Sequence, residues 1–270
     1  MTDGVNRFRK VPRTEGAMLS FPQRAAQVVG GFGANGKFPS VQIPSRESLT
    51  LPPALEDSAC MYVESERGVR EVIDDLSETT EFGVDVEYKG SSDVRSGFVC
   101  LVQISTPQKD YIIDAMKCHR WIFLLRPYFL KPHTTKILHG ASADLRWLLT
   151  NFGIYVCNLF DTSIAMRQLC LPHCSLAYLL AHYCGVHVDK SIARHDWSIR
   201  PLPRKMLAYA RTDVHYLSYC RNRLLCDLSA KNFPTGILRD ASAGEKCPSD
   251  LVRNTQLLSH QMCLKAYEVK

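Results

Sequence analysis

Residues 82–88 read FGVDVEY. Strict alternation with β-branched residues predicts a strand with Val84 and Val86 on its buried face and Asp85 and Glu87 together on the other. Two more strands follow, FVCLVQIS (98–105) and YIID (111–114), the first reached through the turn-rich segment KGSSDVRSG. Such short connections predict an antiparallel meander. Upstream, ESERGVREVIDDLSE (64–78) places Val69, Val72, Ile73 and Leu76 at helical spacing. Downstream, the order is a helix around 119–130, a buried strand TKILH (135–139) and a helix ADLRWLLTNF. A short strand around Tyr155–Val156 comes next, then a mostly helical stretch from 162 to 228 with a Pro-broken loop at 186–203. The pattern is an α/β domain with a central mixed sheet flanked by helices.

The rest of the chain bounds the function. No apolar run is long enough to span a bilayer, and MTDGVNRFRKVPR at the start does not read as a secretory signal. The eleven cysteines are irregularly spaced, without a Cys-x-x-Cys, and read as reduced thiols. The dense patch Cys170, His173, Cys174, His182, Cys184 and His187 has no standard zinc spacing and lies in an apolar helical stretch. The net charge of +6 favours an anionic partner. Between Lys190 and Arg211 the cations Lys190, Arg194, Arg200, Arg204, Lys205 and Arg211 face only Asp196. Such a stripe suits a phosphate backbone, and equally a solvated surface. Gly-rich and Pro-punctuated, residues 1–54 are expected to be a flexible leader.

Three segments carry candidate chemistry. Asp85 and Glu87 share a strand face, as an ordinary exposed acidic strand would also show. Asp144 follows the end of the 135–139 strand, where α/β proteins tend to place sites, although a first-turn capping carboxylate has the same look. Tyr209 and Asp213 lie one helical turn apart in KMLAYARTDVHYL and share a face; a solvent-facing pair is the plain alternative. Together they give Asp-x-Glu, Asp and Tyr-x-x-x-Asp on a strand, a strand-to-helix junction and a late helix. An all-carboxylate set suits hard divalent cations better than zinc. Two such ions about 3.5–4 Å apart clamp both oxygens of an in-line displacement at phosphorus.

These segments resemble the three exonuclease motifs of the DEDDy-type 3′–5′ exonucleases. The sequence is similar to the RNase D family, and within it to the catalytic domain of the nuclear exosome-associated exonuclease. GFVCLVQIST, LHGASADLRWLL, FGIYVCNLFDT, LPHCSLAYLL, HDWSIRPLP and MLAYARTDVHYL carry the resemblance. It implies a ribonuclease-H-like (DnaQ-like) fold over residues 55–230. It also implies that Asp85, Glu87, Asp144 and Asp213 ligate two Mg²⁺ or Mn²⁺ ions and that Tyr209 orients the attacking water. His139, Trp147 and Lys190 are candidates for substrate contact; Trp147 also fits a core aromatic and Lys190 a surface lysine. Asp161 reads as a helix N-cap, and Asp196-Trp197 with Arg200-Pro201-Leu202 as the shaping of a loop.

The expected activity is hydrolysis of single-stranded RNA from its 3′ end to 5′-nucleoside monophosphates, in rRNA, snoRNA or other nuclear RNA processing, with the RNA exosome as a partner and no membrane. The alternatives are a DNA exonuclease of the proofreading or Werner type, or a non-catalytic RNA-binding relative. The nucleus or nucleolus is the expected location, and MLSFPQRAAQVV from Met18 leaves a mitochondrial alternative. Residues 231–270 show no complete HRDC domain, the helical unit that follows in related enzymes. There, ASAGEKCPSD reads as loop.

Overall fold

Strand β2 (Glu81–Lys89) is the centre of the architecture. Phe82, Val84 and Val86 are buried, and burying each aliphatic side chain contributes about 1.5–3 kcal/mol. That anchorage from behind holds the strand while its front carries two carboxylates. The computed structural model describes residues 20–33, 38–90, 97–231 and 251–267. β2 pairs antiparallel with β3 (Phe98–Ser105), and β3 antiparallel with β4 (Asp110–Asp114), so the meander is as read from the sequence. On the other side β2 pairs parallel with β5 (Thr135–Leu138), and β5 parallel with β6 (Leu159–Asp161). A strand that the sequence reading missed, β1 (Cys60–Val63), adds parallel to β4. The order β1-β4-β3-β2-β5-β6 is the ribonuclease-H-like arrangement with one extra edge strand.

Helix α2 (Glu66–Glu78) starts where Ser65 accepts a hydrogen bond from the Gly68 N–H, and it buries Val69, Val72 and Leu76. The helix expected at 119–130 begins earlier, as α3 (Ala115–Ile122), because Asp114 caps it by accepting from the Met116 and Lys117 N–H groups. It tightens at Phe123–Leu125 and restarts as α4 (Arg126–Leu130) with a proline in its first turn.

Two expectations need correction. No strand forms at Tyr155–Val156; Ile154 and Val156 are instead fully buried loop residues. Asn158 then turns the chain with a φ of 54°, and the strand starts at Leu159. The leader contains helix α1 (Phe21–Gly31), which buries Ala25 and Val29, and residues 38–57 run on over the body of the fold. Residues 1–19 lie outside the described residues. The mostly helical stretch includes α7 (Leu176–Cys184) and α9 (Leu217–Lys231), and the tail holds helix α10 (Leu251–Tyr267), packed on β6, α1 and α5 (Ser142–Phe152); the ASAGEKCPSD stretch lies outside the described residues. These additions were hidden because each buries its apolar face on distant sequence. Phe32, Phe38 and His260, for example, meet edge to face. No helix of the protein is long and apolar enough to cross a membrane among the described residues.

Lys136, in the middle of β5, is fully buried. Its Nζ donates to the carbonyls of Lys131 and Thr134, both at 2.7 Å. Burial pulls its pKa down to about 7. Between that value and about 10.4 the unfolded chain holds a proton that the folded one has lost, so stability rises with pH across this window. Lys136→Met is expected to flatten the rise in melting temperature between pH 7 and 9. A slope equal to wild type would show that the ammonium stays charged inside.

Candidate active site

Helix α8 (Arg204–His215) brings the distant motifs together. It crosses the front face of the sheet, and Gly83, two residues before Asp85, lets it come close. A Cβ at Gly83 would sit 3.0 Å from the Val214 carbonyl oxygen, tighter than ordinary packing allows. The helix is fixed from its other side. Arg211 donates to Asp110 at 2.7 Å and to the carbonyls of Leu55, Ser58 and Ala59. His215 bonds Asp110 through Nδ1 at 2.8 Å and the Pro53 carbonyl through Nε2 at 2.9 Å. Burial works against the Asp110 charge, but the bonds from His215 and Arg211 prevail and hold its carboxyl below the usual range.

The loop before α8 is anchored as firmly. Arg200 forks onto the fully buried Asp114, with Nε to Oδ2 at 2.6 Å and Nη2 to Oδ1 at 3.0 Å. It also donates to the Trp197, Ile199 and Cys100 carbonyls. Lys89, just past Glu87, donates to Asp196 at 2.8 Å and to the Ser198 hydroxyl at 2.7 Å. Arg200 and Arg211 are therefore structural rather than part of a free basic stripe, whereas Lys190, Arg194, Arg204 and Lys205 remain exposed.

One carboxylate oxygen from each of Asp85, Glu87 and Asp213 lies within 4.8 Å of the other two. No other set of three or more His, Cys, Asp or Glu side chains meets that condition among the described residues, the Cys170–His187 patch included. Asp144, in the first turn of α5, is buried beside the trio without belonging to it on that measure. It does feel the Asp85 charge, and Glu87 feels it in turn. Burial is the main cause that lifts all four carboxyls, and the charges of neighbouring carboxylates add to it at Glu87, Asp144 and Asp213. Asp85 is pushed up to about 6 and Glu87 to about 10; Asp144 and Asp213 lie well above the carboxylate range. None of the four makes a salt bridge among the described residues. Four carboxyls gathered without a cation of their own fit a divalent metal ion, an oxygen-seeking charge that relieves the repulsion.

Tyr209 is half-buried and packs against Trp197 with ring centroids 6.0 Å apart. Burial, followed by the charges of Asp213, Glu87 and Asp85, raises its pKa above the ordinary tyrosine value. Its hydroxyl therefore keeps its proton at neutral pH. Asp189 adds a smaller effect of the same sign, and its neighbour Lys190 is exposed.

The other candidates take different places. Trp147 stacks on Tyr88 at 4.5 Å with planes 4° apart. The pair ties the helix of Asp144 to the strand of Glu87, as a core aromatic would. His139 lies with Nδ1 2.9 Å from the Thr162 hydroxyl and Nε2 3.0 Å from the Cys174 carbonyl. Desolvation lowers its pKa, so the ring is neutral. With both nitrogens so engaged, it braces the loop rather than reaching for substrate. Asp161 caps α6 (Thr162–Gln168) as expected, and it also accepts from the Gly140 and Ala141 N–H groups at 3.1 and 2.8 Å. That second grip holds the loop leading to Asp144 and was invisible locally, because the two segments are distant in sequence. Gly140 makes the turn with a φ of +67°, a conformation suited to glycine.

Comparison with known proteins agrees with this geometry. A 3′–5′ exonuclease family model matches residues 60–229. Protein RRP6-like 1 of Arabidopsis thaliana is 39% identical over 220 residues, covering 80% of this chain and 32% of the relative. The exosome complex exonuclease RRP6 of Saccharomyces cerevisiae is 38% identical over 188 residues, covering 69% and 25%. The chain thus spans about a third or less of the length of these relatives. The crystal structure of the catalytic core of RRP6 from Trypanosoma brucei superimposes with a TM-score of 0.76 at 31% identity, covering 89% of this chain and 60% of that one. With the meander, the carboxylate trio and Tyr209 already in place, these likenesses settle the lineage: the chain belongs to the 3′–5′ exonuclease family and groups with the RRP6 catalytic cores.

Proposed function

We propose that this protein hydrolyses single-stranded RNA from its 3′ end and releases 5′-nucleoside monophosphates one at a time. The observation that carries the reading is the trio Asp85, Glu87 and Asp213, one carboxylate oxygen of each within 4.8 Å of the other two, with Asp144 buried beside it. These four residues would hold two divalent ions, Mg²⁺ or Mn²⁺, which when bound supply a nucleophilic water at neutral pH and offset charge developing on the phosphate. The protonated Tyr209 hydroxyl orients the attacking water by hydrogen bonding. Lys190, an exposed cation on the loop before α8, would meet a phosphate of the substrate. RNA as the substrate rests on the motif segments shared with the RNase D family. Work on nuclear RNA, with the RNA exosome as partner, rests on likeness to relatives named as exosome exonucleases.

The substrate test uses 5′-labelled RNA and DNA of one sequence with Mg²⁺. RNA should shorten in one-nucleotide steps and yield 5′-monophosphates; equal or faster shortening of the DNA would reverse the substrate assignment. Tyr209→Phe is expected to lose about 10²-fold in rate, the usual scale for one oriented hydrogen-bonding group, with RNA affinity retained. Unchanged turnover would remove Tyr209 from the chemistry.

A further inference from the structure

Gln103 sits in the middle of β3, fully buried, and neither its side-chain nitrogen nor its side-chain oxygen has a hydrogen-bond partner among the described residues. A buried amide left in that state is costly, and native proteins rarely tolerate one without a use. Its surroundings narrow the use. The β2–β3 register places Gln103 directly opposite Asp85, so the two side chains share a face with Cβ atoms about 4.5–5.5 Å apart. On its other flank Gln103 pairs with the apolar Ile112, which packs with Met206 and Ala210 of α8.

The other polar groups of this face are already matched. Ser105 donates to Asp110, whose second oxygen takes Arg211 and His215. Asp114 is held by Arg200, Tyr62 and two backbone N–H groups. What remains within reach is the carboxylate cluster.

We propose that Gln103 is a positioning residue for the metal site: once a cation is bound, its side-chain amide donates to the Asp85 carboxylate and so fixes the carboxylate's orientation. The inference rests on the metal-site reading above. A ligating carboxylate still has lone pairs that accept from outer partners, and such partners orient it and tune affinity without touching the ion. Gln103 is the uncommitted donor next to Asp85, and it is shielded from water.

The test is Mn²⁺ titration of the full chain, followed by thermal shift and by the electron paramagnetic resonance signal of free Mn²⁺, for wild type and Gln103→Met. The methionine keeps the length and removes the polar atoms. The variant is expected to bind Mn²⁺ about 10–100-fold more weakly, while its melting temperature in EDTA equals or exceeds that of wild type. Unchanged Mn²⁺ affinity, whether or not the metal-free melting temperature falls, overturns the proposal and leaves Gln103 a core residue. If Gln103→Met does not fold, Gln103→Asn decides by the same readout: its amide is one methylene short, so weaker Mn²⁺ binding supports the proposal and unchanged binding overturns it. Wild type that takes up no Mn²⁺ overturns the metal-site reading itself, and this inference with it.

Discussion

Asp213→Asn is expected to lower the rate of 3′-end removal by about 10³-fold, and in the same protein to raise the melting temperature measured in EDTA. The rate loss follows from removing a ligand carboxylate: several kcal/mol of charge stabilisation at the phosphate disappears, and each 1.4 kcal/mol is tenfold. The stability gain follows from the other side of the design. Asp213 is buried, and both burial and the Asp85 charge disfavour its ionisation. A neutral amide of the same shape removes one of the four repelling groups. A gain of about 1 kcal/mol would appear as roughly 2–4 °C for a domain of this size. Single-turnover assays with labelled RNA and calorimetry in EDTA check the two halves. A variant that loses activity and also melts lower without metal would show that Asp213 serves the fold, not an ion.

Arg200→Ala has the largest expected effect on stability, about 3–5 kcal/mol, because it strands a buried carboxylate. Asp114 is fully buried. Burial opposes its charge, yet hydrogen bonds from Arg200 and Tyr62 hold its pKa below the usual value. A carboxyl held low contributes stability above its unfolded pKa, and that contribution is lost as pH falls through the folded value. The cost of Arg200→Ala should therefore be large at pH 7 and shrink in acid. Urea unfolding with an unchanged slope measures it, and the Asp114→Ala, Arg200→Ala double variant should lose less than the sum of the singles. A cost below about 1 kcal/mol at pH 7, the scale of an exposed pair, would contradict the assignment. Activity should fall too, since Arg200 holds the loop that leads into α8 and Tyr209.

Parts of this molecule were legible in the sequence because they obey local periods. Alternation in FGVDVEY placed Asp85 and Glu87 on one face, and the one-turn spacing placed Tyr209 with Asp213. What local periods do not carry is contact between distant segments. His139 looked available because it neighbours Asp144, but its partners Thr162 and Cys174 come from later elements. The leader looked loose because its glycines break the pattern, while Ala25 and Val29 find their burial against other parts of the fold. Gln103 stands in FVCLVQIS as a polar residue among apolar neighbours, but its nearness to Asp85 depends on strand register, and its lack of a partner among the described residues appears only once every neighbour is placed.

The central claim is that the four carboxylates hold the cations that make this chain a nuclease. Its most direct test is the rate of single-nucleotide release from 5′-labelled RNA by protein stripped with EDTA and then titrated with Mg²⁺ or Mn²⁺. The account requires no shortening in EDTA and full recovery with either ion for wild type, but not for Asp213→Asn. One-nucleotide shortening that persists in EDTA would contradict it.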